Sequence, residues 1–113
     1  MAMSGPVTML VSYYPKKGRK SELLSLIKKH WAVLDRERLV TGMPAQIWRA
    51  TDKVTKRSYF IEMFQWKDDK ASSVAHNTPG VMAVWKPMEA VLEKMELAQI
   101  EPIRVRRETS SAK

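Results

Sequence analysis

The sequence predicts an α+β fold with the element order βαββαβ, a ferredoxin-like arrangement in which two long helices cover one face of a four-stranded antiparallel sheet. Short segments rich in β-branched and aromatic residues alternate with two longer segments in which apolar residues recur every three or four positions. The chain has 113 residues, a length that suits one domain. We therefore expect a single domain over residues 1–103 and a basic, polar C-terminal tail over residues 104–113.

The first half of the chain contains three predicted strands and one long helix. Residues 7–14 read VTMLVSYY, a composition typical of a strand. The predicted elements are a strand over residues 7–14, a helix over about residues 19–38, and strands over residues 45–52 and 58–66. The core-facing stripe of the helix consists of Leu23, Leu24, Ile27, Trp31 and Leu34. The polar connection between the last two strands has no Gly or Asn at its tip, so we expect a hairpin loop longer than two residues.

A short helical segment over residues 70–76 begins the second half, and a second long helix follows it. Thr78 and Pro79 predict the start of that helix, as an N-cap residue and a first-turn proline. Its apolar stripe extends from Val81 to Met95. Because proline lacks a backbone N–H, Pro87 within the stripe is expected to kink the helix or end it early.

The predicted sheet has an interrupted last strand and two apolar faces. Residues 97–105 predict the fourth strand, and Pro102 favours an edge position or a bulge. In the third strand Tyr59, Ile61 and Met63 alternate with Phe60, Phe64 and Trp66. Two helices cover only one face, and burying one large side chain contributes roughly 1.5–3 kcal/mol. We therefore expect a homodimer that packs sheet against sheet; the alternative is a monomer with an exposed apolar face.

Composition excludes several kinds of site and partner. The chain has no cysteine and only two histidines, so it has no thiolate nucleophile and no three-histidine zinc site within one chain. No apolar run approaches the roughly 20 residues that span a bilayer, and the N-terminus lacks the pattern of a secretory signal. We expect a cytoplasmic location and no membrane partner. The net charge is +8, but no nucleic-acid motif accompanies the basic residues, so nucleic acid is not an expected partner.

Two sequence segments carry a family resemblance. The first is Phe64-Gln65-Trp66-Lys67-Asp68 followed by Val74-Ala75-His76-Asn77-Thr78-Pro79, and the second is Pro15-Lys16-Lys17-Gly18 ahead of the first helix. The first segment gives a strand that ends in an aromatic residue, a helix with an Ala-His pair, and then Thr-Pro. In these features the chain resembles the antibiotic biosynthesis monooxygenase-like family of dimeric α+β barrels, with a similar layout over roughly residues 7–103.

The resemblance implies a dimer whose facing sheets enclose a pocket in each subunit. Some members of the family oxygenate polyphenolic or quinone-like aromatics without metal or flavin, and others cleave haem. Ala75 and Trp85 stand where the haem-cleaving branch would need a tryptophan and a ligand histidine. Gly80 stands where many members carry a second histidine after Thr-Pro. We therefore expect no cofactor and no metal.

Cofactor-free oxygenation requires a base that converts a phenol into an electron-rich anion, and donors that stabilise the developing oxyanion. Histidine is the natural base near neutral pH, and the motif places His76 between the third strand and the second long helix. Asn77 or Gln65 could donate hydrogen bonds to the oxyanion. The alternative is that His76 only packs, or bonds to backbone, at this corner.

Aromatic and charged strand residues complete the candidate substrate site. Trp48 and Trp66 lie on strands, and whichever of them faces the open side of the sheet could stack on a planar ligand. Tyr59 could hydrogen-bond a ligand through its hydroxyl. Glu62 lies in the middle of an apolar strand, where a buried charge needs a partner, and Arg49 on the neighbouring strand is a plausible one.

Other side chains are assigned to packing or left open. Trp31 and Trp85 lie on helical core stripes, and His30 is expected at the boundary of the core rather than as a ligand. The Tyr13 hydroxyl could bind a ligand or be satisfied inside the core.

The sequence thus predicts a cofactor-independent monooxygenase that acts on a small planar aromatic in a pocket between helices and sheet. The alternative is a non-catalytic dimeric protein of the same fold that binds small molecules or protects against stress. The motif around His76, with Glu62 and Gln65 on aromatic strands, favours the enzyme. Gly80 favours the alternative.

Overall fold

The computed structural model describes residues 5–106 and has the element order expected from the sequence. The elements are β1 (Val7–Pro15), α1 (Lys20–Arg36), β2 (Gln46–Thr51), β3 (Ser58–Trp66), α2 (Ala71–His76), α3 (Pro79–Val91) and β4 (Leu92–Ile100). The hairpin loop between β2 and β3 is longer than two residues, as predicted. Asp52 stabilises it by accepting hydrogen bonds from the backbone N–H groups of Val54 and Thr55, both at 2.8 Å.

The four strands form one antiparallel sheet in the order β2-β3-β1-β4. The central strand β1 carries Val11, which lies opposite Glu62 of β3 on one side and Leu97 of β4 on the other. The fourth strand lies at an edge of the sheet, but Pro102, which was expected to interrupt it, lies beyond its end. It ends at Ile100 rather than at residue 105. Residues 101–106 have no regular secondary structure and are exposed, and the predicted tail beyond residue 106 lies outside the described residues.

The boundary between the second long helix and the fourth strand differs from the expectation. The helix ends at Val91, and Met95, which we assigned to the helical stripe, lies in β4 opposite Tyr13. Pro87 explains the early end, since it cannot donate a hydrogen bond within the last turns of the helix. The backbone becomes extended at Leu92, where φ is −93° and ψ is 132°, so α3 continues into β4 with no intervening loop.

The two faces of the sheet meet different surroundings. The face covered by the helices carries the buried side chains Val11, Tyr13, Phe60, Glu62, Phe64 and Trp66. Leu10, Ile61 and Met63 lie on the opposite face and are only half-buried, and Trp48 on that face is 45% exposed. The predicted alternation along the third strand is therefore correct, and the other sheet face of the single chain remains uncovered, with apolar side chains next to polar ones such as Gln65 and Glu96.

Candidate active site

A cavity of about 450 Å³ lies between the helices and the sheet. Its volume is within the range of about 300–1,000 Å³ that is usual for small-molecule sites. Its walls come from β1, β3, β4 and all three helices. The lining is mostly apolar or aromatic and includes Met9, Val11, Tyr13, His30, Phe64, Trp66, His76, Met82, Trp85, Met88, Met95 and Leu97. Lys86, Glu89, Glu93 and Lys94 supply charged groups to the same lining. The cavity thus has a mostly apolar wall with a few polar and charged groups.

The tryptophan that lines this cavity is on the covered face of the sheet. Trp66 is 5% exposed, and its ring packs edge-on against Phe64 at a centroid distance of 4.9 Å. Trp48 lies on the open face and is absent from the cavity lining. We expected the ligand-stacking tryptophan to be the one on the open side. That expectation concerns the open face and stays a prediction; the cavity described here lies under the helices and is lined by Trp66.

His76 is the last residue of α2 and lines the cavity, as the motif predicts. Its Nδ1 atom is 2.8 Å from the backbone carbonyl oxygen of Ser72. A carbonyl only accepts hydrogen bonds, so Nδ1 carries the proton, and in the neutral ring Nε2 keeps its lone pair. Asn77, the next residue, is absent from the cavity lining and donates its side-chain amide to the backbone carbonyl oxygen of Ser73 at 3.1 Å. The helix end therefore offers one base and no amide donor to the cavity.

Glu62 is fully buried, as the apolar strand suggests, but its partner is not Arg49. Its Oε1 accepts a hydrogen bond from the Tyr13 hydroxyl at 2.6 Å and lies 2.9 Å from Nδ1 of His30. The strand register explains the error: Ile47 lies opposite Glu62, whereas Arg49 lies opposite Phe60. The guanidinium of Arg49 is 5.8 Å from the centre of the Phe60 ring.

His30 is the functional candidate that sequence reasoning missed. It is 3% exposed and lies on the buried side of α1, between Ile27 and Leu34. Its Nε2 accepts a hydrogen bond of 2.8 Å from the indole N–H of Trp85, and its ring lines the cavity. The available signal was its spacing, since three residues from Ile27 and four from Leu34 is the core-facing period of a helix. The imidazole of His30 on that stripe and the carboxylate of Glu62 on the buried strand are hydrogen-bond partners.

The Tyr13 hydroxyl belongs to the same buried group. Burial raises its pKa well above the usual value, and the neighbouring Glu62 carboxylate raises it further by its charge and its hydrogen bond. The Tyr13 hydroxyl therefore keeps its proton across the ordinary pH range and donates a hydrogen bond to Glu62.

Tyr59 and Gln65, two further predicted site residues, lie on the open face of the sheet, away from the cavity. The ring of Tyr59 stacks on Tyr14 at 4.6 Å. Gln65 accepts a hydrogen bond from the Thr41 hydroxyl at 2.8 Å and donates one to the Thr8 hydroxyl at 3.1 Å. Of the predicted site, the structure thus brings His76 and Trp66 together at the cavity, with Glu62 behind its wall.

Solved structures with this fold include an oxygenase. No protein-family model matches the sequence, and the comparison with curated proteins gave no match. SnoaB from Streptomyces nogalater, a cofactor-independent oxygenase, is 21% identical and has a TM-score of 0.68, with 93% of this chain and 100% of SnoaB covered. At3g17210 from Arabidopsis thaliana is 13% identical and has a TM-score of 0.69, with 89% of this chain and 99% of At3g17210 covered. An antibiotic biosynthesis monooxygenase of known structure is 12% identical and has a TM-score of 0.65, with 87% of this chain and 99% of that protein covered.

The chain has the fold of the antibiotic biosynthesis monooxygenases. The resemblance read from the sequence is confirmed at this level, and at these identities the likeness concerns the fold.

Position 80, where many members of that family carry a second histidine, does not face the cavity in this chain. A Cβ atom built on Gly80 would lie 2.8 Å from a carboxylate oxygen of Glu37 and 3.5 Å from the guanidinium of Arg36. Both residues lie at the end of α1, and Gly80 is absent from the cavity lining. The glycine therefore removes no group from this cavity, and it is weaker support for a non-catalytic protein than the sequence suggested.

No metal-binding group of side chains and no membrane-spanning helix is found within residues 5–106. Within residues 5–106, no three His, Asp or Glu side chains are grouped so as to hold a metal ion. Over the same residues, no helix has both the length and the apolar character needed to cross a membrane.

Proposed function

We propose that this protein is a monooxygenase that acts, without a cofactor, on a small planar aromatic phenol held in the cavity between helices and sheet. The observation that carries the proposal is the combination of His76, His30 and aromatic rings on the wall of one largely apolar cavity. The fold shared with SnoaB, itself a cofactor-independent oxygenase, supports it.

The aromatic lining suits a flat, apolar ligand. Trp66 and Phe64 present ring surface on the sheet side, and Met82 and Met88 contribute adaptable thioether side chains from α3. A bound phenolate would lie against these rings and thioethers, in a cavity that Lys86 and Lys94 also line. A charge that forms there interacts more strongly with nearby groups than it would in water.

His76 is the base in this proposal. Because the Ser72 carbonyl oxygen holds Nδ1–H, Nε2 remains the atom that can accept a proton. Transfer of the hydroxyl proton to Nε2 leaves the electron pair on the phenol oxygen, and the resulting anion can reduce O₂. The overall conversion balances as phenol plus O₂ giving quinone plus water: the substrate loses its hydroxyl hydrogen and one ring hydrogen, one oxygen atom enters the ring, and the other leaves as water.

A second candidate is a non-catalytic protein that binds aromatic small molecules. One observation favours it: both amide side chains assigned as oxyanion donors, Asn77 and Gln65, are hydrogen-bonded outside the cavity. Without such donors the developing charge has less stabilisation, which slows turnover but leaves binding possible.

We also propose that the protein is a homodimer in solution, packed through the open face of the sheet. The half-buried side chains of Leu10, Ile61 and Met63 form an apolar strip there, and the exposed Trp48 extends it. A second copy of the same face would remove this surface from water.

Oxygen uptake with 1,5-dihydroxynaphthalene tests the enzymatic proposal. We expect consumption of one O₂ per molecule of 5-hydroxy-1,4-naphthoquinone formed, and loss of most of that activity in His76→Gln. The matched control is Ser73→Ala, an exposed position on the same helix whose side chain is absent from the cavity lining. Binding of the naphthol by calorimetry with no oxygen uptake would instead support the second candidate. Full activity in His76→Gln would remove this histidine from the mechanism.

A further inference from the structure

A chain of hydrogen bonds runs from the cavity wall into the core, and the proposed reaction does not yet use it. The indole N–H of Trp85 donates to Nε2 of His30 at 2.8 Å, and Nδ1 of His30 lies 2.9 Å from Oε1 of Glu62. The Tyr13 hydroxyl reaches the same carboxylate oxygen at 2.6 Å. Glu62 is fully buried and His30 nearly so, whereas Trp85 is half-buried and borders the cavity.

The donor and acceptor roles in this chain are fixed by chemistry. An indole N–H can only donate, so Nε2 of His30 carries no proton. The proton of the neutral ring is therefore on Nδ1, from which it is donated to Glu62. Glu62 accepts hydrogen bonds from both His30 and Tyr13, as an ionised carboxylate does.

His30 therefore has the arrangement of a general base with its orienting carboxylate, except that its basic atom is occupied. A second proton on His30 would make an imidazolium next to the Glu62 carboxylate, whose Oε1 lies 2.9 Å from Nδ1. That proton has to arrive at Nε2, where the indole of Trp85 now sits. The Trp85 ring also contacts His76 edge-on, at a centroid distance of 4.8 Å.

We propose that Trp85 is a removable cover over the Glu62–His30 pair, and that a hydroxyl of the aromatic ligand replaces the indole N–H on Nε2. The hydroxyl O–H bond then breaks, a bond from that proton to Nε2 forms, and the electron pair stays on the ligand oxygen. Glu62 keeps its hydrogen bond to Nδ1 and stabilises the imidazolium. The inference deepens the proposed function, on which it rests, and makes the ligand an arene with hydroxyls at two positions, one for His30 and one for His76.

Trp85→Phe gives the sharpest test. If Trp85 is a cover, the substitution should raise the affinity for the ligand, whereas loss of an ordinary wall residue should lower it or leave it unchanged. Phenylalanine keeps an aromatic ring at the wall but cannot donate a hydrogen bond to His30. The ligand hydroxyl then no longer competes with the indole, so we expect 4-nitrophenol to bind about two- to tenfold more tightly than to the wild type, the effect of one net hydrogen bond. Trp66→Phe is the matched control, since it makes the same truncation in the same cavity, and it should not tighten binding. Equal or weaker binding to Trp85→Phe would overturn the proposal.

The colour of bound 4-nitrophenol reports proton transfer independently of turnover. In a mildly acidic buffer that leaves the free probe colourless, we expect the bound probe to show the absorbance of its yellow anion with wild-type protein and with Trp85→Phe. Glu62→Gln, which removes the charge that stabilises the imidazolium, should bind the probe in its neutral form. A neutral probe in wild type and Trp85→Phe alike would overturn the proposal.

These outcomes separate the inference from the proposed function. An ionised probe that binds Trp85→Phe more tightly, in a protein that consumes no oxygen, supports the cover and contradicts the oxygenase. Oxygen consumption with no tightening in Trp85→Phe supports the oxygenase and contradicts the cover.

Discussion

Removing the Tyr13 hydroxyl tests whether the buried group around Glu62 stabilises the fold. Tyr13→Phe keeps the ring, which is 1% exposed, and removes only the donor that lies 2.6 Å from the carboxylate. A hydrogen bond to a charged partner contributes about 1.5–3 kcal/mol. Glu62 keeps its contacts with His30 in the variant, so we expect a loss of about 2 kcal/mol in the free energy of unfolding, or roughly 30-fold in the unfolding equilibrium.

Tyr14→Phe is the matched control for this substitution. The Tyr14 hydroxyl also donates to a carboxylate, that of Glu96, but at 3.2 Å and in an exposed position. Its removal should change the free energy of unfolding by less than about 0.5 kcal/mol. The two variants therefore compare the same chemical change in buried and exposed surroundings.

The effect of Tyr13→Phe should also depend on pH. Burial and the Glu62 charge raise the pKa of Tyr13, so between its unfolded and folded pKa values the unfolded chain releases a proton that the folded chain keeps. The stabilising contribution is complete below about pH 10 and is lost as pH rises, by at most about 1.4 kcal/mol per pH unit. Phenylalanine has no such proton, so the difference between wild type and variant should shrink above about pH 10.

Urea denaturation at a fixed protein concentration measures both effects, because self-association would otherwise shift the apparent stability. We expect the midpoint of Tyr13→Phe to fall well below that of Tyr14→Phe at neutral pH. Equal midpoints would refute the reasoning, since they would mean that the buried hydroxyl stabilises the fold no more than the exposed one.

Two further predictions concern the open face and the hairpin. Ile61→Glu places a charge on the open face and should be monomeric in sedimentation at concentrations where the wild type has twice the chain mass. The control Ile103→Glu changes an exposed position outside the sheet and should stay dimeric. A monomeric wild type would contradict the proposed dimer. Hydrogen bonds from the backbone N–H groups of Thr55 and Val54 lower the pKa of Asp52, so its contribution to stability should be lost as pH falls below about 4. Asp52→Asn, which keeps an acceptor without titrating, should lack this component in acid denaturation; an unchanged acid profile would count against it.

Most of the fold could be predicted from the sequence because its elements depend on local patterns. Alternation along β3 and the three- and four-residue spacing in α1 each identify a buried side without knowledge of the partner element. The end of α3 could not be placed, because apolar residues continue through Met95 and the change to strand depends on pairing with β1. Pro87 was the local sign that the helix would stop.

The candidate site could be predicted only in part, because it depends on which strands and helices face one another. His76 and Trp66 follow from two short motif segments close together in the sequence, and both line the cavity. The partner of Glu62 depends on the strand register and on the helix that packs over the strand. Neither follows from local sequence patterns, which favour Arg49, whereas the observed partner is His30. For the same reason the helical spacing predicts only a packing role for Trp85, although its indole N–H donates a hydrogen bond to His30.

Isotope labelling tests the central claim of an oxygenase most directly. The protein, treated with a metal chelator, is incubated with 1,5-dihydroxynaphthalene under oxygen-18 gas, and the product is analysed by mass spectrometry. We expect 5-hydroxy-1,4-naphthoquinone that carries one labelled oxygen atom, with the second label in water, and we expect the rate of its formation to fall in His76→Gln. Recovery of the unaltered naphthol, or of quinone without the label, would contradict it.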